Sequence, residues 1–190
     1  MRKSIYCLSI LLSSVLLLNA ACESNKNLEK EALTIQQQLD SAWVVMTNSD
    51  DSKIANLQMM IQEFKLINGI DSSRIPEFEA KLNDLKNMRY TQESMNESVS
   101  IDKYDESTDQ LWSSVKNFVQ ANGEIEKYQV MNQLVEEIGM ADDSVIIYRQ
   151  GYDKVLDKYN AFVAKHEKHL SSLPAPINSW KPRNYFRIAQ

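Results

Sequence analysis

Apolar side chains recur three and four residues apart along most of this chain. Leu28, Ala32, Ile35, Leu39, Ala42 and Met46 alternate steps of four and three, which lines them up on one helical face, and Trp43 widens the stripe. The polar patch Asn48-Ser49-Asp50-Asp51-Ser52 interrupts it before Ile54, Leu57, Ile61 and Phe64 resume. The patch is either a break or a phase slip within one long helix. Asn68-Gly69 reads as a helix stop, since glycine tolerates the left-handed C-cap conformation. Ser72 and Ser73 can cap the next helix, and Pro76 suits its first turn.

Ile75, Phe78, Leu82, Leu85 and Met88 predict this second helix, which fades through residues 96–103. Tyr104, Leu111, Val115 and Phe118 predict a third that ends at Asn122-Gly123. The last register is the longest: Met131, Leu134, Ile138, Ala141, Val145, Tyr148, Tyr152, Val155, Tyr159, Phe162 and His166 keep the spacing, which predicts a helix from about residue 124 to 171. A helix of that length cannot bury its stripe alone, and short connections at Gly69 and Gly123 make its neighbours antiparallel. The expectation is an all-α fold, an elongated antiparallel bundle of three to four long helices over residues 28–173. Pro174 and Pro176 end the last helix, because proline lacks the amide hydrogen and restricts the residue before it. Residues 174–190 form a separate tail rich in proline and aromatic side chains.

Before the first stripe the pattern is of another kind. Arg2 and Lys3 precede the apolar run Ile5 to Leu18, a basic segment and then an apolar one of secretory-signal length. The run is short of the roughly 20 apolar residues a membrane span needs. Ala20 and Ala21 then precede Cys22, the arrangement of a bacterial lipobox, although Asn19 stands where leucine is usual. Residues 1–21 therefore read as a lipoprotein signal peptide, Cys22 as the acylated residue and 22–27 as a tether, the alternatives being ordinary signal cleavage near Ala21 or an uncleaved helical anchor. The domain is expected outside the cytoplasm, on the bacterial cell envelope. Acyl chains bury about 0.8 kcal/mol per methylene, so two or three of them hold a protein on a bilayer durably.

Charge and cysteine usage narrow the function. Without Arg2 and Lys3 the formal net charge moves from −5 to −7, which disfavours nucleic acid and attraction to anionic lipid. The membrane is then reached through the lipid on Cys22. Cys7 falls in the signal peptide, so residues 23–190 contain no thiol. Disulfide, redox and zinc-thiolate chemistry are thereby excluded.

The segment Gln133 to Asn160, QLVEEIGMADDSVIIYRQGYDKVLDKYN, is similar to the Leu-x-x-Glu-Leu, Ile-x-x-x-Arg-x-x-Tyr-Asn and Tyr-Asn run of the LemA family. Trp180-Lys181-Pro182-Arg183-Asn184-Tyr185-Phe186 resembles that family's C-terminal Pro-x-Pro-Tyr-Phe pattern. Ala42-Trp43 and Ile54-Ala55-Asn56-Leu57 stand where members carry Ala-Trp and Ile-Pro-Asn-Leu. Asp153, Ala55 and Asn184 depart from the pattern. The resemblance spans most of residues 32–187, weakly in the middle third. It implies a helical envelope protein and brings no catalytic site with it.

The remaining candidates for chemistry are sparse. His166 and His169 are three apart, whereas the zinc-binding HExxH helix needs four and a third ligand. Asp50-Asp51, Glu136-Glu137, Asp142-Asp143 and the acids from Asp102 to Asp109 lack EF-hand spacing and read as solvated faces. Tyr148, Tyr152 and Tyr159 share a face and read as core, or else as the lining of a ligand groove. Trp180, Arg183, Tyr185 and Phe186 read as a strap folded onto the bundle, or else as a docking peptide with three aromatic anchors and a cationic clamp. The expected function is a LemA-like, non-enzymatic envelope lipoprotein that scaffolds or binds an envelope protein, without metal or cofactor. The alternative is a binding protein for a small apolar or lipid ligand held between bundle helices.

Overall fold

The computed structural model describes residues 2–92 and 98–186, and side chains over 25–92 and 99–186. Among these residues the protein is an all-α helical bundle with no strand: α1 (Arg2–Phe64), α2 (Ile75–Asn87), α3 (Ser98–Ala121) and α4 (Gln129–Leu170). No described helix is long and apolar enough to cross a membrane. The Cys22 side chain lies outside the described residues. Two compact units make up the chain, Met1–Asp40 with Val155–Pro182, and Ser41–Lys154 with Arg183–Gln190.

In the larger unit the helices alternate in direction. Lys65 Nζ meets Glu79 Oε1 at 2.5 Å and Lys86 Nζ donates to Gln58 Oε1 at 2.6 Å, which runs α2 antiparallel to α1. Asn56 Nδ2 donates to Glu137 Oε2 at 3.1 Å, and Trp43 touches Tyr152 with ring centroids 5.6 Å apart. These contacts set α4 antiparallel to α1. Phe64, Phe78 and Phe118 close one end of this core, with centroids 5.0 to 6.3 Å apart across α1, α2 and α3. The smaller unit pairs the start of α1 with the end of α4. Ala32, Leu39, Tyr159, Phe162, Val163 and Leu170 are buried there, with Leu173 just past α4 and Ile177 from the tail.

The polar patch at 48–52 does not break α1. Its buried positions run Met46, Asp50, Lys53, Leu57, Met60 and Phe64, in unbroken steps of four and three. The stripe keeps its phase and changes its chemistry, because a carboxylate and an ammonium occupy two of its places. The turn beyond Phe64 passes through Gly69 at φ +87°, where a β-carbon would be strained. Neither Ser72 nor Ser73 caps α2: both lie in a 3-10 turn, Ser72–Arg74, that Asp71 caps through Oδ1 accepting from the Ser73 amide at 3.0 Å, and α2 follows from Arg74 without a side-chain cap. Helix α4 starts at Gln129, later than about 124. Ile125–Lys127 form a 3-10 turn that buries Ile125, and Tyr128 is extended.

Phe78 is completely buried and links three helices. Phe78→Ala should cost about 3–5 kcal/mol, the usual range for emptying a core aromatic site. Urea unfolding monitored by circular dichroism measures it, and a loss below about 1 kcal/mol would mean the three rings are not a packed core.

Candidate functional site

The last helix departs from its expected register in its middle. Both 145–148–152 and 145–149–152 satisfy steps of three and four, and the apolar Tyr148 is the natural choice. The structure takes the other path. Tyr148 is 37 % exposed, and Arg149 enters the seam between Val145 and Tyr152, with its side chain 11 % exposed. A guanidinium so placed needs compensation on every side, because burying an unpaired charge costs several kcal/mol.

Three kinds of contact provide it. Asp105 on α3 takes the guanidinium in a two-point pair, Nη1 to Oδ2 at 2.5 Å and Nη2 to Oδ1 at 2.7 Å. Such a fork fixes orientation as well as charge. Nη2 also donates to the Tyr90 hydroxyl at 3.4 Å, and that hydroxyl donates to Asp50 Oδ2 at 2.9 Å. The third contact is aromatic: the guanidinium carbon lies 5.1 Å from the centre of the Phe186 ring, within cation–π range. Arg149 Nε is buried with no hydrogen-bond partner in the structure. The site therefore relies on the fork and the ring rather than on a fully satisfied guanidinium.

Phe186 is 5 % exposed and sits in a socket of rings. Trp43 stacks on it at 6.3 Å, and Tyr90 and Tyr152 present edges at 6.1 and 5.7 Å. Its amide donates to Asp153 Oδ1 at 3.0 Å. Asp153 thus holds the tail backbone. Trp43 also meets Tyr90 at 5.9 Å, and Tyr90 meets Tyr104 at 5.4 Å.

The four tail residues singled out from sequence have different environments. Phe186 is buried in the socket, Tyr185 is 37 % exposed and Arg183 is half-buried. The Tyr152 hydroxyl accepts from Gln92 Nε2 at 3.3 Å, and the Arg183 charge acts on it electrostatically. Trp180 belongs to the smaller unit, where its ring packs on Tyr159 at 5.0 Å and Phe162 at 6.3 Å. Tyr152 and Tyr159 are 1 % exposed, so they are packed and do not line an open groove. His166 lies against Phe162 at 4.8 Å. Among the described residues, no group of three or more His, Cys, Asp or Glu is placed to hold a metal ion.

Two residues read from sequence as solvent-facing or unremarkable are interior. Asp50 and Lys53 are each 7 % exposed. Lys53 is ion-paired with Asp142 and lies 3.7 Å from Asp109. A cavity of about 340 Å³ opens beside them between α1, α3 and α4, with Asp50, Lys53, Asp105 and Arg149 in its wall. Burial raises the Asp50 carboxyl above its ordinary range, against the lowering influence of the Tyr90 hydrogen bond and of Arg149 and Arg89. Tyr104 beside it is pushed up to about 12 by burial and by the Asp50 charge. For Arg149 burial opposes the charge, but Asp105, Tyr90 and Asp50 outweigh it and hold the guanidinium protonated.

No protein-family model, no curated protein and no solved structure matches this chain.

This geometry sets two expected outcomes. Phe186→Ala should cost about 3 kcal/mol or more, whereas Tyr185→Ala should stay within about 1 kcal/mol. Equal losses in chemical denaturation would mean the socket does not hold the tail. The second outcome concerns pH. An Asp50 carboxyl raised in the folded state penalises the fold when ionised, so the penalty is present at neutral pH. It fades as pH falls through the raised value towards the ordinary carboxylate range. The stability of Asp50→Asn relative to the parent should therefore be most favourable near pH 7.5 and decline towards pH 4.5. An advantage that grows on acidification would reverse the assignment.

Proposed function

We propose that the protein is a LemA-like envelope lipoprotein, held on a membrane by acylated Cys22 with its helical domain outside the cytoplasm, and that it scaffolds other envelope proteins without catalysis. One observation carries this reading. The segments that resemble the family lie far apart in sequence, yet Trp43, Arg149, Tyr152, Asp153 and Phe186 come together in one socket. A resemblance produced by shared helical composition would have no reason to converge on one point.

The chemistry of the socket supports a structural role for it. Arg149 is engaged by Asp105 and Tyr90, and Asp50 by Tyr90. Charges committed to one another in this way are poor nucleophiles and poor proton carriers. With Phe186 turned inward, the partner-facing apolar surface falls to exposed residues such as Ile146 and Ile147 on α4 and Val44 and Val45 on α1. The alternative role, holding a lipid or other apolar ligand between helices, gains support from a groove of about 590 Å³ in the smaller unit.

The anchor is tested with Cys22→Ala in cells fed labelled palmitate. The variant should incorporate no label and leave the membrane fraction. Label and membrane retention both unchanged would overturn the lipoprotein reading. The scaffold role is tested by crosslinking the tagged protein in intact cells, beside an Ile146→Ser/Ile147→Ser variant of unchanged melting temperature. A defined envelope partner lost in the variant supports it, and the absence of any reproducible partner overturns it.

A further inference from the structure

The groove in the smaller unit has a lining unlike the rest of the protein. It runs between residues 27–35 of α1 and 158–165 of α4. Its apolar floor is made by Ile35, Ala161 and the buried ring of Phe162, and Lys30, Lys158 and Lys165 line its sides. Glu31 is the single carboxylate among the lining residues. None of the three ammonium groups has an ion pair or side-chain hydrogen bond among the described residues. All three are exposed, unlike the interior cations Lys53 and Arg149, which are matched to carboxylates.

We propose that this groove binds an anionic phospholipid of the bilayer that carries the protein, its phosphate held by Lys30, Lys158 and Lys165 and the start of an acyl chain lying on Ile35, Ala161 and Phe162. The proposal deepens the anchored-lipoprotein reading and rests on it for the choice of bilayer lipid over a soluble anion.

Three observations select this occupant. The first is charge. The formal charge of −7 after residue 21 belongs to the larger unit, because acidic and basic side chains balance over residues 22–40 and 155–182. The unit that begins after Cys22 is thus spared the repulsion from anionic lipid that the whole chain would suffer, and three of its six lysines line one groove. The second is position. Asn27, at the groove's beginning, lies five residues after Cys22 within α1, an axial step of about 7.5 Å at 1.5 Å per residue. Lys30 follows three residues later, about 12 Å from Cys22 along the axis, so an acyl group on Cys22 would bring the near end of the groove, with Lys30, close to the headgroups, where a lysine is drawn to the surface. The third is the pairing of chemistries. Lysine stems lie along apolar surface while their ammonium groups stay in water, which matches a ligand whose anionic head adjoins a hydrocarbon body. The volume falls within the usual 300–1,000 Å³ of small-ligand sites.

The test uses the full-length protein in mixed micelles of a neutral detergent, so that binding does not depend on the anchor. The micelles carry traces of phosphatidylglycerol or phosphatidylcholine with a photoreactive group at the top of one acyl chain, and labelled peptides are located by mass spectrometry. Phosphatidylglycerol should label residues 27–35 and 158–165 about tenfold more than phosphatidylcholine. The excess should vanish in Lys30→Gln/Lys158→Gln/Lys165→Gln at unchanged melting temperature, and in the parent at 0.5 M salt. Excess soluble glycerol phosphate should not displace the label. Equal labelling by the two lipids, or a phosphatidylglycerol preference confined to other segments, would overturn the proposal. Displacement by glycerol phosphate would reassign the groove to a soluble phosphate and overturn the lipid. Loss of membrane retention in Cys22→Ala is read separately and bears on the anchor alone.

Discussion

The larger unit is organised around one buried charge, the Arg149 guanidinium. Helix α4 places it where an apolar side chain would ordinarily sit, and the surrounding elements are arranged to make that tolerable. Asp105 from α3 supplies the counter-charge, Tyr90 beyond α2 bridges to Asp50 on α1, and Phe186 from the tail covers the guanidinium with its ring. The desolvation of such a group amounts to several kcal/mol, and removing one partner of a buried pair typically costs about 3–5 kcal/mol. Asp105 is partly exposed, so its share lies towards the lower end.

This constraint explains why α1 can carry polar residues in its stripe. Asp50 and Lys53 occupy seam positions, and each has a partner on another element, Tyr90 for the first and Asp142 for the second. Apolar residues at these places would pack equally well at several registers. A hydrogen-bonded acid and a paired lysine permit one, the specificity role of a single buried polar residue in coiled coils. The tail then has a defined place to end. Phe186 finds three rings and a cation, and the Asp153 carboxylate receives its amide.

Much of the fold was legible because helical periodicity is a strong signal. The four-helix order, the turn at Gly69, the Pro76 start and the stop before Pro174 all come from spacing and from what glycine and proline permit. The site was less legible, for a physical reason. Spacing of three and four admits both Tyr148 and Arg149, and hydropathy chooses the tyrosine, yet long-range pairing with Asp105 decides for the arginine. The patch Asn48 to Ser52 misleads in the same way, since a buried Asp50 is recognisable only through Tyr90, forty residues on. One clue was present: Arg149, Tyr152 and Asp153 lie within five residues of one another on α4. In the aromatic tail Tyr185 and Phe186 are adjacent aromatics, and only the backbone path shows which one turns inward.

The two-point fork between Arg149 and Asp105 implies that they stabilise the unit as a pair rather than as two independent residues. A double-mutant cycle on Arg149→Met and Asp105→Leu, read by urea unfolding of the full chain, measures that directly. Either change alone should be strongly destabilising, and the double variant should recover about 1–3 kcal/mol relative to the sum of the two. Strictly additive losses would contradict the account and reduce the pair to two unrelated contacts.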